Sequence, residues 1–458
     1  MLFARISFFI LVALGSSVPA IAQTTAFPDS LRTTMKQAVS AAARHAWNGY
    51  MQYARGMDDL QPLTKTGKNW YRHSLLMTPV DSYDTFHMLG MKKEADEAKQ
   101  LIISQLDFDV DNEVQVFEIT IRLLGGLISA YEMDGTPRFL QLAEDLGNRL
   151  LPAFQSATGM PYRYVHLQSG RRRDSLNNPA EIGTLMLEFG RLSQHTGDKR
   201  FFKAAKKAMM QVYARRSRIG LVGMQINVET GEWTNRTSQI GAYIDSYYEY
   251  LFKAWKMFGD RDFLKAWKVH QRAISRYLIE KTANGWFLKQ ADMHSGARGK
   301  TVYGALDAFY AGLCAYAGDR SSAKSIQRAN YYMWTHFGME PEAFDFTSGQ
   351  VLSAYYILRP ENIESCFYLY RTTGDHQYLW MGKRMFDDIL KYCRTPEAFA
   401  SIKDVRTMEK ANSMQSFFIA ETLKYAWLLF APQTEGELSQ VVFNTEAHPF
   451  LLRLKNKK

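Results

Sequence analysis

Carboxylates placed where the surrounding pattern predicts burial are the residues of this chain best suited to chemistry. Glu118 lies one helical turn before Arg122 in the run Phe117 to Tyr131. There Phe117, Ile121, Leu124, Ile128 and Tyr131 recur at helical intervals, and Gly125-Gly126 permits close approach. As an exposed i,i+4 ion pair the two charges would contribute only about 0.2–0.5 kcal/mol. Beside a packed face they call for another role. Asp245 and Glu249 share a helix face among aromatics in Asp245-Ser-Tyr-Tyr-Glu249-Tyr. In Arg359-Pro-Glu361-Asn-Ile-Glu364, Pro360 suits the first helical position and puts Glu361 in the first turn, where the helix dipole favours the ionised form. Glu421 falls within the apolar stretch Ser416 to Phe430. An ionised carboxylate is what a general base needs, and a second one in apolar surroundings holds its proton as a general acid. Glycoside hydrolysis divides the labour in this way.

Helices must position these groups, and the chain punctuates itself accordingly. Asp134-Gly135, Thr196-Gly197-Asp198, Phe258-Gly259-Asp260, Ala317-Gly318-Asp319 and Thr373-Gly374-Asp375 each separate two long apolar-periodic segments. In four of them glycine can end one helix while aspartate caps the next. The glycines fall about 56 to 62 residues apart, room for a helical pair per repeat and too long for the common 34-residue arrays. Stacked helical hairpins must bury their end faces, and a closed ring does so without capping units. No Pro- or Ser-rich linker interrupts Phe27 to Phe450, so one domain, 23–458, is expected. Strand signals are few. The clearest is Leu438 to Phe443, which precedes a polar turn and predicts a short C-terminal hairpin.

Composition removes other function classes. Arg5, the apolar core Ile6 to Leu14 and Ala20-Ile21-Ala22 follow the order of a secretory leader, so Met1 to Ala22 are expected to be removed. No later stretch reaches the roughly 18 uninterrupted apolar residues of a membrane span, and a soluble exported protein is expected. The net charge of +10 comes from dispersed basic residues, apart from Arg171-Arg172-Arg173 and the tail at Lys455. Neither makes a nucleic-acid groove. Aromatic residues are 14 % of the chain, which suits sugar stacking and a large core equally. Cys314, Cys366 and Cys393 permit at most one intramolecular bridge, and Cys366 lies in a helical pattern as a buried thiol. His-Glu-x-x-His, paired Cys-x-x-Cys and Gly-x-x-x-x-Gly-Lys are all missing, which disfavours zinc and nucleotide chemistry. A hard cation leaves a weaker trace, because carbonyls and waters fill much of its shell.

Taken in order, the acidic segments resemble the class I α-mannosidases of glycoside hydrolase family 47. The resemblance rests on Asp81-Ser-Tyr-Asp84-Thr-Phe, Phe117-Glu118-Ile-Thr-Ile-Arg122-Leu-Leu-Gly-Gly, Glu181-Ile-Gly-Thr-Leu-Met-Leu-Glu188-Phe and Asp245-Ser-Tyr-Tyr-Glu249-Tyr-Leu. It continues through Leu358-Arg-Pro-Glu361-Asn-Ile-Glu364-Ser, Ser416-Phe-Phe-Ile-Ala-Glu421-Thr-Leu-Lys-Tyr and Phe443-Asn-Thr445-Glu446-Ala-His-Pro. It implies an all-α (α/α)7 barrel with a C-terminal β-hairpin reaching into its centre. It also implies calcium-dependent, inverting removal of terminal α-1,2-linked mannose. By position, Glu118 matches the acid, Glu361 the base and Asp245 a third catalytic carboxylate. Thr445 matches the calcium ligand. Arg122, Glu188, Glu249, Arg359, Glu364, Phe417, Glu421 and Glu446 match the pocket that holds the sugar and the calcium's waters.

The chain also departs from the family. Ala305-Leu-Asp307-Ala-Phe309 replaces a histidine- and cysteine-containing segment, Tyr243 stands where eukaryotic members carry Arg or Leu, and Gln415 stands where Glu often precedes Ser-Phe. The sequon Asn235-Arg-Thr237 is a site only in a host that glycosylates, and the short leader suggests a bacterial periplasmic enzyme. The expected partner is an α-1,2-mannose glycan, bound by a monomer. The competing expectation is a mannose-glycan-binding protein on the same fold that lacks turnover.

Overall fold

Apolar periodicity sorts the helices into two kinds. In Arg261–Tyr277 the buried positions are Phe263, Ala266, Trp267, His270, Ala273 and Ile274, one stripe of a helix whose other face meets water. In Glu361–Thr373 every residue from Asn362 to Tyr370 is buried, as befits a helix enclosed on all sides. The computed structural model describes residues 26–452, in which the two kinds alternate. The expected leader and the tail at Lys455 lie outside the described residues.

Seven inner helices occupy Met77–Met88, 116–134, 179–196, Asp245–Phe258, Phe309–Tyr316, Glu361–Thr373 and 418–430. Each packs on an outer partner: in turn Lys92–Gln105, Pro137–Leu150, Lys199–Ala214, Arg261–Tyr277, Arg320–Phe337, Gln377–Tyr392 and, from the chain's start, Asp29–Tyr53. The ring closes where Asp29–Tyr53 packs on the last inner helix and Met77–Met88 lies beside Phe418–Leu423. Thr85 Oγ1 donates to Ile419 O at 3.1 Å across that seam. This is the expected (α/α)7 barrel.

The Gly-Asp turns behave as their chemistry requires. Gly197, Gly259 and Gly374 end helices with φ of 80°, 70° and 70°. Asp198, Asp260 and Asp319 then accept from Arg200 N, Asp262 N and Ser322 N, and Asp375 accepts from Gln377 N at 3.1 Å. A lost cap of this kind costs about 1 kcal/mol.

Strand content is richer than the sequence suggests. The described residues hold eight small antiparallel sheets of two or three strands each. Their strands run two to four residues, too short for a period of two to show. The C-terminal hairpin pairs Val441–Phe443 with Pro449–Leu451, so the expected strand from Leu438 begins three residues late. Upstream of it Gln440 and Val441 donate to Glu437 O in a turn, and only Gln440 O still reaches across the hairpin, accepting from Leu452 N at 2.7 Å.

Candidate active site

The hairpin tip is what turns a ring of helices into a closed-ended site. Asn444 organises it: its Oδ1 accepts from Glu446 N (2.9 Å) and His448 N (2.7 Å), while its Nδ2 donates to Ile121 O (2.9 Å) and Glu188 Oε1 (2.8 Å). Gly125 and Gly126 admit it. A Cβ on Gly125 would stand 2.7 Å from Asn444 Nδ2, and one on Gly126 2.8 Å from Val80 Cγ1 and 3.2 Å from His448 Cε1. Beneath the tip, His448 Nδ1 and Lys424 Nζ each lie 2.6 Å from the Asp84 carboxylate, and Lys424 also donates to Ala447 O at 2.7 Å. All three side chains are fully buried, so their mutual charge must offset a heavy desolvation cost.

The helix bearing Glu118 is not the continuous α-helix its periodicity suggests. Val116–Ile119 is α-helical, Thr120–Leu124 is a π turn, and the α-helix resumes at Gly125–Asp134. A second π turn, Phe418–Leu423, carries Glu421. Such turns insert a residue into the helix and commonly accompany functional positions. Strained backbone marks two other inner helices: Tyr243 (φ 76°) and Leu358 (φ 67°) take the left-handed conformation two and three residues before Asp245 and Glu361. Each costs about 1–2 kcal/mol for a non-glycine residue.

These elements surround a cavity of about 300 Å³. Its wall includes Glu118, Arg122, Asp245, Glu249, Arg359, Glu361, Glu364, Phe417, Glu421, Thr445 and Glu446. Glu188 is absent from that wall. It lies one layer behind, where Tyr250 OH donates to its Oε1 at 2.6 Å and itself accepts from Thr445 N at 3.2 Å. Glu188 therefore reaches the cavity through the tip it supports.

Arg122 is divided among several acids. Its Nε donates to Glu118 Oε2 at 2.9 Å, its Nη1 to Glu446 Oε2 at 2.8 Å, and Nη1 also lies 3.7 Å from Asp81 Oδ2. Across the cavity, Arg359 is held by Glu342 through two donations of 3.0 and 2.6 Å, and its Nη1 stands 3.8 Å from Glu361 Oε1. Glu361 Oε2 has no hydrogen-bond partner among the described residues. The helix starts at Glu361 itself, with Pro360 just before it. The sequence argument that the helix terminus keeps Glu361 ionised is incomplete, because burial pushes its carboxyl up to about 7 against the pull of Arg359. Burial also raises Asp245 to about 7, although Ser246 N donates to its Oδ1 at 2.7 Å. Glu364, Glu421 and Glu446 are raised by burial and by neighbouring carboxylates.

Eight acidic side chains against two arginines line the wall, an imbalance that a hard cation would offset. Among the described residues no group of three or more His, Cys, Asp or Glu is arranged as a metal site. The oxygens fit a hard ion of another kind: no group among the described residues donates to Thr445 Oγ1 or to its carbonyl, and carboxylates flank it. The departing segment places Asp307 behind the wall, where it accepts from Gly304 N at 2.9 Å, while Leu306 and Phe309 face the cavity. All three cysteines are free and buried, so the one bridge the sequence allowed is absent. Sequence reasoning gave no role to Lys424, His448 or Asn444. For Lys424 and His448 the signal was Asp81-Ser-Tyr-Asp84, whose buried carboxylates needed cations; Asn444 had none.

A toroid of helical pairs with carboxyl groups converging on a central, closed-ended cavity defines an (α/α)-barrel enzyme of the kind that processes sugars. More particularly, the chain belongs to glycosyl hydrolase family 47, whose profile matches residues 42–452. It is 37% identical over 444 residues to alpha-mannosidase I MNS5 of Arabidopsis thaliana, covering 91% of this chain and 76% of that protein. It is 35% identical to the mannosyl-oligosaccharide 1,2-alpha-mannosidase MNS1 of the same plant, over 93% and 80% of the two chains. The solved alpha-1,2-mannosidase from Trichoderma reesei superposes with a TM-score of 0.85 at 28% identity, covering 92% of this chain and 99% of that one. No described helix is long and apolar enough to cross a membrane.

Proposed function

We propose that this chain, after removal of Met1 to Ala22, is an exported, monomeric enzyme that hydrolyses terminal α-1,2-linked mannose with inversion, in a single catalytic domain. The observation that carries the reading is the convergence of Glu118, Asp245 and Glu361 on one cavity together with Thr445. Glu361, with one oxygen unpartnered, accepts a proton from the water that attacks the anomeric carbon. Glu118 returns a proton to the departing glycosidic oxygen, so water and glycoside yield β-mannose and a shortened glycan. Arg122 orients Glu118, donating to its Oε2 from Nε and Nη2 at 2.9 Å each, while its Nη1 turns to Glu446. Asp245, beside Arg359 and Glu249, is assigned to sugar positioning at the reaction centre. Arg359, Glu364, Glu421 and Phe417 shape the pocket around the ring. Calcium, when held by Thr445, supplies a hard Lewis acid for sugar hydroxyls and water.

Retention of all three carboxyls supports turnover over a purely binding role. Proton NMR of α-1,2-mannobiose hydrolysis, with and without a calcium chelator, tests the proposal. β-Mannose as the first product, abolished by chelation, is expected. α-Mannose, or undiminished activity without calcium, would overturn the mechanism.

A further inference from the structure

Basic residues that are scattered along the sequence are gathered by the ring. In the outer helix Arg261–Tyr277, Arg261, Lys265, Lys268, Arg272 and Arg276 recur at helical intervals, and all are exposed. They occupy one narrow arc, opposite the buried stripe from Phe263 to Ile274. The outer helices on either side repeat the pattern. Lys199, Lys203 and Lys207 do so in Lys199–Ala214, and Arg320, Lys324 and Arg328 in Arg320–Phe337; every one of them is exposed. Asp262 is the one acidic residue in the three helices, and Lys206 takes it up at 2.9 Å together with the capping Asp260 at 2.5 Å.

Elsewhere on the ring the same kind of helix neutralises itself. Lys92 pairs with Asp96 at 2.6 Å, Arg149 with Asp145 at 3.0 Å, and Lys383 and Arg384 with Asp387 and Asp388 at 2.5 and 2.7 Å, each across one helical turn. Opposite charges at that spacing support a helix, and like charges there repel. Lys203, Lys265 and Lys324 have no hydrogen-bond, ion-pair or ring partner among the described residues. Repulsion kept on three consecutive helices, and cancelled on others, marks a wall that meets negative charge.

The side of a ring is convex. It cannot enclose a ligand as a concave site does, but it can rest against an extended surface. Three parallel stripes of Lys and Arg fit a bilayer that displays anionic phospholipid headgroups, since each basic group within a Debye length of such a surface is attracted to it. No described helix is long and apolar enough to cross a membrane, so this attachment is peripheral and electrostatic. Asp245 and Glu361 line the catalytic cavity from the starts of their helices, which puts the cavity toward one end of the ring. A surface lying along the side wall leaves that end clear.

We infer that the wall formed by Lys199–Ala214, Arg261–Tyr277 and Arg320–Phe337 is a docking face for a membrane surface rich in anionic phospholipid. Lys203→Gln, Lys265→Gln and Lys324→Gln together remove one charge from each stripe. A control with Arg44→Gln, Lys92→Gln and Lys93→Gln removes the same net charge from the opposite arc of the ring. Co-sedimentation with vesicles of equal parts phosphatidylglycerol and phosphatidylcholine is the assay, and it needs no turnover. The parent protein should bind these vesicles at low salt, ignore vesicles of phosphatidylcholine alone, and be released at about 1 M salt, where charges are screened within about 3 Å. The stripe variant should bind about 100-fold more weakly. The control should stay within about threefold of the parent, its charges lying more than a Debye length from the docked surface. Both should hydrolyse α-1,2-mannobiose as the parent does, because none of the six residues lines the catalytic cavity. A parent protein that ignores anionic vesicles, or a stripe variant that binds them equally well, would overturn the inference. Equal weakening of both variants would also do so, by reducing the attraction to net charge. Binding to inorganic polyphosphate without binding to vesicles would assign the wall to a soluble polyanion instead and would overturn it too.

Discussion

Removing the side chain of Asn444 tests whether one carboxamide assembles the floor of the active site. Asn444→Ala deletes four hydrogen bonds, those from Glu446 N and His448 N and those to Ile121 O and Glu188 Oε1. At about 1 kcal/mol net apiece the loss is roughly 4 kcal/mol. Unfolding entropy scales at ~2.1 cal/mol/K per residue, which gives ~0.9 kcal/mol/K for the described residues and a fall in Tm of roughly 4–5 °C. Asn444→Asp is the sharper perturbation. It keeps both accepted bonds but turns an oxygen toward the Glu188 carboxylate and the Ile121 carbonyl, so it should destabilise at least as much despite its shape. Thr445→Ala, at the adjacent position, removes a hydroxyl that makes no hydrogen bond among the described residues and should leave Tm within about 1 °C while activity falls. Thermal melts followed by circular dichroism, with initial rates on α-1,2-mannobiose, separate these outcomes. A wild-type Tm for Asn444→Ala, or an Asp variant as stable as the parent, would refute the argument that this side chain holds the tip.

The buried charges under the tip make stability depend on pH. Burial alone would lower the His448 pKa, but Asp84 and Asp81 outweigh it and push it up to about 9; burial likewise opposes the ionised Asp84, which Lys424 and His448 nevertheless hold at about 2. A raised histidine contributes fully below its ordinary value of about 6.5 and loses that contribution as pH rises through about 9. The depressed Asp84 contributes above about 3.9 and is lost as pH falls toward about 2. Melts at pH 6, 7.5 and 9 should therefore show declining Tm, and a flat alkaline limb would count against a charged His448. Glu361→Gln should lower kcat by about 10²–10⁴ while calorimetric binding of mannobiose weakens far less; a fully active variant would mean that the base is another residue. Gly126→Ala drives a methyl to 3.0 Å from the Val80 carbonyl, a backbone atom that cannot swing away, and should cost about 1–3 kcal/mol in a chemical-denaturation curve.

Much of this protein is written locally. The Gly-Asp turns specify where helices stop and start, because a left-handed glycine and a capping aspartate act within a few residues of chain. The apolar stripes specify which helices face water on one side. The order of Glu118, Asp245, Glu361 and Thr445 within their segments places the chain in its family. What the linear pattern did not contain is the effect of enclosure. A helix terminus argues for an ionised Glu361, yet burial by six other inner helices and a hairpin outweighs that local dipole and lifts its pKa to about 7. Periodicity argues for an unbroken helix at Glu118, yet a π turn stands there beside the tip that Asn444 fixes. Arg122 looked like half of an i,i+4 pair; only the fold shows it shared with Glu446, 324 residues away, and stacked between Trp70 and Phe417. The sequence by itself determined the helical pairs, the Gly-Asp turns and the family, since these depend on short-range sterics and on residue order. Tertiary structure alone decided which charges are shared, which are orphaned and where the cavity lies, because desolvation and pairing are set by neighbours that are distant along the chain.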